Sequence, residues 1–411
     1  MTCYEDLKWR GLIESISDEG LIEKLNNGGL TFYIGTDPTA DSLHLGHYSS
    51  FLITRRLEKA GHHPIILVGG ATGLVGDPRG TVERQLSQKE VIARNFVALK
   101  EQVQKLFPYP VVNNFDWMKD YSFLDFLRDV GKYIGVGYML AKDHVKRQME
   151  TGISYAEFSY MLIQGYDFKY LHEHMGVDLQ VAGSDQWGNI TTGIELVRKT
   201  SGDAVYGLTM PLVTDAQGNK FGKSEGNAVW LDRSKTSSYE LYQFLLNTED
   251  AMVIPYLKRL TFLSREEIED IERRHAEEPH LRIAQKALAK EIIRDLHGEG
   301  AYEEAVRISE QLFSGDIMSI PPHDLLAGLK NVPHFTVPEG TRLLDAMKAG
   351  GISSSNREGN DFLKAGAISL NGEIVRDGNL ELSAACAIDG QFLVLRRGKK
   401  KYYVATFAQP D

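Results

Sequence analysis

The stretch from Leu30 to Gly70 decides the fold, through three runs: "LTFYIG" (30–35), "HYSSFLITRRLEKAG" (47–61) and "PIILVGG" (64–70). The first is short and rich in β-formers. The second spaces its apolar residues as a helix does and ends on Gly61, the kind of residue that caps a helix. The third is a continuous apolar run that suits a buried strand. Strand, helix and strand in this order form a βαβ unit, which predicts a parallel sheet with ligand-binding loops at the strand ends. Later strands are expected at "VDLQVAG" (177–183) and "LTMPLV" (208–213), and "SQKE" (87–90) reads as a capping box opening a helix to about Phe107.

Past Thr236 the strand signals fade, and amphipathic helical stretches such as "AQKALAKEIIRDLHG" (284–298) follow, with a second capping box at Ser264 and Glu267. Residues 319–340 contain four prolines and have a linker-like composition. A small helix (341–349), a helical stretch at "NREGNDFLKAG", strands around "AISLNGEIV" with an Asn-Gly turn, and the basic tail "RRGKKKYYV" complete the chain. With 411 residues, two or three domains are expected, and 42% apolar with 25% charged residues is an enzyme-like composition. Cys3 and Cys386 lie at opposite ends without spaced partners, so neither a disulfide framework nor a thiolate zinc site is expected. The start lacks a secretory pattern and no run is long enough to span a bilayer, so a cytoplasmic protein without membrane contact is the expectation. A net charge of −10 argues against a non-specific nucleic-acid binder. Residues 341–411, however, hold 10 Lys and Arg against 8 Asp and Glu, a local basic excess that suits phosphate.

Four polar clusters stand out. In "DSLHLGH" (41–47), His44 and His47 flank Gly46 where a strand gives way to a helix, a position that favours anions. Two surface histidines, or half a zinc site with His62 and His63 as the nearby ligands, are the alternatives. "GNKFGKS" (218–224) has Gln217 where a phosphate loop needs glycine, so it reads as a Gly-flanked loop presenting Lys220 and Lys223 as movable charges, or as solvated surface. Glycines 69, 70, 73 and 76 miss dinucleotide spacing and leave a strand-end loop delivering Asp77. On the helix expected over 154–171, Tyr160, Gln164 and Asp167 fall on one face, a polar stripe that protein or ligand must satisfy. "GSDQWGNI" (183–190) is again at a strand end, or is a turn with a buried Trp187.

Taken together, "HLGH" resembles the HIGH signature and "KFGKS" the KMSKS signature of class I aminoacyl-tRNA synthetases. "FYIGTDPTADSLHLGH", "GGATGLVGDP", "EFSYMLIQGYDF", "GSDQWGNI" and "PLVTDAQGNKFGKSEGNAVWLD" resemble the bacterial-type tyrosyl-tRNA synthetases over nearly the whole chain. The resemblance implies an α/β fold: a Rossmann-like parallel-sheet catalytic domain over 1–230 with a dimer-interface insertion at about 115–160, an α-helical anticodon-binding domain over 231–325, and a small α+β RNA-binding domain resembling a ribosomal protein over 335–411. It implies that Tyr33 and Asp167 bind the phenol of L-tyrosine, and Asp77, Tyr160 and Gln164 its ammonium, with Gln180 nearby. Asp37, Thr39, His44, Gly46, His47, Gly183, Asp185 and Gln186 would surround ATP and the adenylate. Lys220, Lys223 and Arg84 would meet pyrophosphate in the transition state, with Mg2+ arriving on ATP and no tightly bound metal or cofactor. The partners implied are tRNA(Tyr) and a second copy of the chain in a homodimer.

Some positions depart from the family pattern. Leu45 replaces Ile, Phe221-Gly222 replaces Met-Ser, Ile34 stands where a cysteine is common, and no lysine lies between Asp77 and Arg84. The implied chemistry needs no base, because the tyrosine carboxylate is already ionised and attacks the α-phosphate directly. Alignment of the reactants is worth up to roughly 7–11 kcal/mol. A tryptophan-specific relative shares the fold but has no use for a phenol pair; a non-catalytic RNA-binding protein would tolerate loss of the four signature side chains, and another nucleotidyltransferase would not need the terminal module.

Overall fold

The βαβ unit forms where the hydrophobic pattern puts it. Six strands, β1 (Ser15–Ile16), β2 (Thr31–Thr36), β3 (His63–Val68), β4 (Val111–Val112), β5 (Leu179–Gly183) and β6 (Tyr206–Met210), make one sheet in the order β1-β6-β5-β2-β3-β4. All neighbours are parallel except β1, which runs antiparallel to β6. From β2 the chain builds outward to β3 and β4, then crosses to lay down β5 and β6 on the other side. The carboxyl ends of β2 and β5 therefore border a crevice at the topological switch point. β6 stops at Met210 because Pro211 has no N–H to continue the ladder.

In this computed structural model, residues 1–77, 88–142, 145–146, 149, 152–224, 227–314, 316–330, 332–398 and 401–408 are described. The chain divides into two units, Met1–Lys235 with Thr248–Leu288, and Thr236–Asn247 with Ala289–Asp411. The helical stretch expected over 231–325 is thus shared between them. Within the first unit, helix Leu45–Lys59 links β2 to β3 and ends before Gly61 at φ +88°, as its sequence requires. Helix Lys89–Leu106 forms where it is expected, and Ser87, the first residue of the expected capping box, lies outside the described residues. The box at Ser264 and Glu267 is formed. Helix Tyr155–Met175 packs along helix Trp187–Thr200, and the two approach closely where Gly165 meets Gly193: a Cβ on Gly165 would lie 3.4 Å from the Gly193 nitrogen.

In the second unit, β9 (His334–Val337), β10 (Ile368–Leu370), β11 (Glu373–Ile374), β12 (Phe392–Arg397) and β13 (Lys401–Phe407) form a sheet in the order β11-β10-β12-β13-β9. The Asn371-Gly372 turn joins β10 to β11 with φ positive at both positions, as a tight hairpin demands. The expected basic tail is instead the β12–β13 hairpin, with Arg396 and Arg397 paired to Tyr402 and Lys401. Period-2 alternation sends Leu393, Leu395, Tyr403 and Ala405 to one face, where Leu343 and Met347 join them. Phe392, Val394 and Val404 go to the other, against Ile308, Leu312, Leu325 and Leu329. The proline-rich stretch is consequently no linker. Pro322 opens the helix Pro322–Gly328, a position where its missing N–H costs nothing, and Leu325 and Leu329 belong to the shared core.

Candidate active site

A cavity of about 490 Å³ opens at the carboxyl ends of β2 and β5. Its deep end is built on Tyr33 of β2 and Asp167 of helix Tyr155–Met175, both only 2% exposed. Asp167 accepts from Asn114 Nδ2 at 3.0 Å and Trp117 Nε1 at 2.9 Å. Burial raises its pKa from 3.8 to about 7, against the lowering effect of those two donors. The Tyr33 hydroxyl, whose pKa is also raised by burial and then by the Asp167 charge, has no hydrogen-bond partner among the described residues. A buried hydroxyl in that state costs about 1–3 kcal/mol, which makes it a marker for a missing ligand. Donor Tyr33 and acceptor Asp167 together match a group that both accepts and donates, as a phenol does.

The middle of the cavity is lined with amides and carboxylates. Gln186 Nε2 donates to Asp77 Oδ2 at 3.0 Å, and Asn189 Nδ2 reaches Gln164 Oε1 at 3.1 Å and Gln186 Oε1 at 2.9 Å. Tyr160 donates to Asp37 Oδ2 at 3.0 Å, and Thr72 to Asp37 Oδ1 at 2.7 Å. Burial, followed by the charges of Asp37 and Asp77, lifts the Tyr160 pKa well above its usual range. The polar stripe is therefore met by protein partners at each of its three positions while its side chains still line the cavity. Gln180 is buried beside them, and its Oε1 has no partner among the described residues. Asp37, Asp77 and Asp167, with Asp185 at the mouth, give the cavity an acidic lining that favours an ammonium group.

At the open end His44 is the N-cap of helix Leu45–Lys59. Its Nδ1 accepts from the Gly46 N–H at 3.1 Å, and His47 Nδ1 accepts from the His44 N–H at 3.2 Å, so two imidazoles replace the usual Ser and Glu of a capping box. The rings stack at 3.9 Å. Both Nδ1 atoms are thus engaged as acceptors of backbone N–H groups, and the two rings stand at a helix N-terminus, a position that favours an anion. The lysine-bearing segment lies directly alongside. Leu45 N–H donates to Val229 O at 2.9 Å, Val229 N–H to Gly222 O at 2.8 Å, and Leu231 N–H to Leu43 O at 2.8 Å. Gly222, at φ +85°, approaches so near that a Cβ would stand 2.9 Å from Leu45 Cβ and 3.0 Å from the Gly46 nitrogen. That close approach explains why glycine follows Phe221. Lys220 Nζ sits 3.7 Å from Asp185 at the mouth of the cavity, which Gly183 and Gln186 also line.

Of the residues singled out from sequence, most converge here. Thr39 is exposed, is not among the described lining residues, and donates its N–H to Asp37 O at 2.8 Å. Lys223 contributes backbone to β7 (Lys223–Ser224), which pairs with β8 (Asn227–Ala228). Arg84 lies outside the described residues. His62 is a core histidine: its Nδ1 accepts from Leu30 N–H at 3.2 Å, its Nε2 lies 3.0 Å from Leu25 O, and burial lowers its pKa. Among the described residues no group of three or more His, Cys, Asp or Glu is placed to hold a metal. Sequence reasoning missed Asn114, Trp117, Thr72 and Asn189. The first two follow β4, and their strand-end position was the available signal.

Comparison with known proteins gives a consistent result. Residues 25–314 match the family model described as tRNA synthetases class I (W and Y), and residues 324–405 match that of the tyrosine–tRNA ligase SYY-like C-terminal domain. Curated tyrosine–tRNA ligases of Streptococcus mutans and Geobacillus stearothermophilus are each 49% identical over 99% of this chain and 100% of their own length. A crystal structure of a C-terminally truncated mitochondrial tyrosyl-tRNA synthetase from Aspergillus nidulans is 34% identical with a TM-score of 0.70, covering 76% of this chain and 94% of that one.

Proposed function

The chain belongs to the class I tRNA synthetases, in their tyrosine-specific branch, and on that footing we propose how its cavity carries out tyrosine activation and transfer. L-tyrosine lies with its phenol between Tyr33 and Asp167 and its ammonium among Asp77, Tyr160, Gln164 and Gln180. The observation that carries this placement is the buried Tyr33 hydroxyl beside Asp167, a donor without a partner next to an acceptor. ATP, entering as its Mg2+ complex, lies along Asp37, Thr39, Gly46, Gly183, Asp185 and Gln186, with its triphosphate over His44 and His47. The tyrosine carboxylate attacks the α-phosphate and pyrophosphate leaves. Charge then grows on the leaving oxygens, where the imidazoles of His44 and His47 and the ammonium groups of Lys220 and Lys223, with Arg84, stabilise it. The adenylate passes its acyl group to the 3′ end of tRNA(Tyr), whose anticodon and variable arms are held by the helical stretch and the C-terminal module.

Pyrophosphate exchange with each of the twenty amino acids tests this reading: tyrosine alone is expected to support turnover, and exchange with tryptophan in its place would overturn it. The same assay has a pH signature. A carboxyl whose pKa is raised from 3.8 to about 7 in the empty site stabilises the fold below about pH 4 and loses that contribution as pH rises to about 7. The phenol donates to the ionised form, so tyrosine binding displaces the proton. The KM for tyrosine is expected to fall as pH rises through about 7 and to level off above it, and Asp167→Asn to flatten that limb.

A second copy of the chain covers the 115–160 insertion. Phe123, Leu124 and Val136 stand 63%, 76% and 62% exposed there, with Leu127, Leu140 and Tyr155 also exposed. An apolar concentration of this kind on one segment marks an interface. Leu124→Asp with Phe123→Asp is expected to convert a dimer to monomer in sedimentation; an unchanged mass would remove this face from the assembly. The protein is proposed to act in the cytoplasm, and among the described residues no helix is long and apolar enough to cross a membrane.

A further inference from the structure

Lys220 reaches the cavity mouth on an exposed side chain, so the accuracy of its placement depends on what fixes the backbone beneath it. Residues 213–221 form a hairpin. Phe221 N–H donates to Val213 O at 2.9 Å, Thr214 bridges Lys220, and the Asp215 carboxylate ties the turn through the N–H groups of Gln217 and Asn219. Tyr256, on helix Asp250–Leu260, touches the base of this hairpin on both sides. Its hydroxyl donates to Thr214 O at 2.8 Å and its ring packs on Phe221 with centroids 4.6 Å apart. At the tip, Gln217 Nε2 donates to Glu249 Oε1 at 3.0 Å, just ahead of the same helix.

That helix is itself held at both ends. Asp250 accepts from Gln285 Nε2 at 2.6 Å and faces His275 Nε2 at 3.2 Å. At the other end two guanidinium groups close on the last carbonyls: Arg10 donates to Lys258 O at 3.0 Å and Leu263 O at 2.9 Å, and Arg56 to Arg259 O at 3.3 Å and Thr261 O at 2.5 Å. Cations at a helix C-terminus satisfy carbonyls that have no intrahelical partner and complement the dipole. Arg56 belongs to helix Leu45–Lys59, which begins at the two imidazoles. The histidine end and the lysine end of the cavity mouth are thus tied to one strut.

We infer that Tyr256 is a positioning residue for the activation step, setting through Thr214 and Phe221 where Lys220 stands relative to His44 and His47. This rests on the reading of Lys220 as a pyrophosphate-binding group. Tyr256→Phe keeps the ring and its packing and removes only the bond to Thr214 O. Its kcat in pyrophosphate exchange is expected to fall about tenfold, the worth of one hydrogen bond as a rate ratio, with the Kd for tyrosine unchanged. In a Lys220→Ala background, the same substitution is expected to add less than about twofold, because the residue it positions is gone. The inference is overturned if Tyr256→Phe turns over at the wild-type rate, weakens tyrosine binding in step with kcat, or costs the same tenfold without Lys220. A Lys220→Ala enzyme with full exchange activity would instead remove the role assigned to Lys220 itself, and this inference with it.

Discussion

Asp167→Ala is expected to yield a folded protein whose kcat/KM for tyrosine in pyrophosphate exchange is lower by roughly 10²–10³-fold. That figure combines loss of a charge-assisted hydrogen bond of about 1.5–3 kcal/mol with the disorder of donors deprived of their acceptor. The carboxylate accepts from the Trp117 indole and from Asn114, so the alanine removes the proposed partner of the phenol and disturbs those two side chains together. Folding survives because the deleted group was itself costly to bury, as its raised pKa shows. A thermal unfolding midpoint within a few degrees of wild type, alongside the lost activity, is the result that separates a site defect from a collapse. The ratio of tyrosine to phenylalanine activation gives a second measure. On the proposed placement, phenylalanine leaves the buried Tyr33 hydroxyl without a partner and brings no donor to Asp167, which keeps only Asn114 and Trp117, the situation in which a binding pocket discriminates most strongly. In Asp167→Ala only Tyr33 remains to be left unpaired, so the ratio narrows. Wild-type rates with tyrosine would eliminate the proposed phenol site.

Legibility of this chain from sequence follows the reach of each physical rule. The βαβ unit is readable because apolar periodicity is local, and its first strand, β2, is one of the two that border the crevice. The polar stripe on helix Tyr155–Met175 is readable because three polar side chains on one face of an apolar helix need partners wherever the helix packs. Their partners are not readable, since Asp37, Asn189 and Asn114 come from elements far along the chain that only the sheet order brings together. Composition misleads at residues 319–340, where proline suggests a linker although Pro322 begins a helix and Leu325 and Leu329 face a core. It also does not distinguish histidines: His62 differs from His44 in burial and partners, and neither is written in the residue type. The helical stretch after Thr236 shows the same limit. Its periodicity announces helices, yet it does not say that Thr248–Leu288 packs with the first unit, where Arg10 and Arg56 reach the end of helix Asp250–Leu260.

The core shared by the β12–β13 hairpin and the preceding helices decides how the role of the C-terminal module in tRNA binding is best tested. Deleting residues 335–411 would strip Phe392, Val394 and Val404 from Ile308, Leu312, Leu325 and Leu329, so impaired charging would confuse weakened RNA binding with a damaged core. Charge reversal at exposed positions leaves that packing intact. Arg357 and Lys364, on helix Asn356–Lys364, and Arg376 are all exposed, and Arg376 lies near Gly366 just beyond that helix, which places basic groups along one region of the module. With Arg357→Glu, Lys364→Glu and Arg376→Glu combined, kcat/KM for tRNA charging is expected to fall by about 10²-fold, at roughly 1 kcal/mol for each phosphate that is no longer neutralised. Tyrosine-dependent pyrophosphate exchange, which needs only the first unit's cavity, is expected to stay at the wild-type rate. The salt dependence supplies the independent check: the slope of log affinity for tRNA against log salt should become shallower by up to about one for each cation reversed. A triple variant that charges tRNA normally, or that keeps the wild-type slope while losing affinity, would take this surface out of the RNA interface.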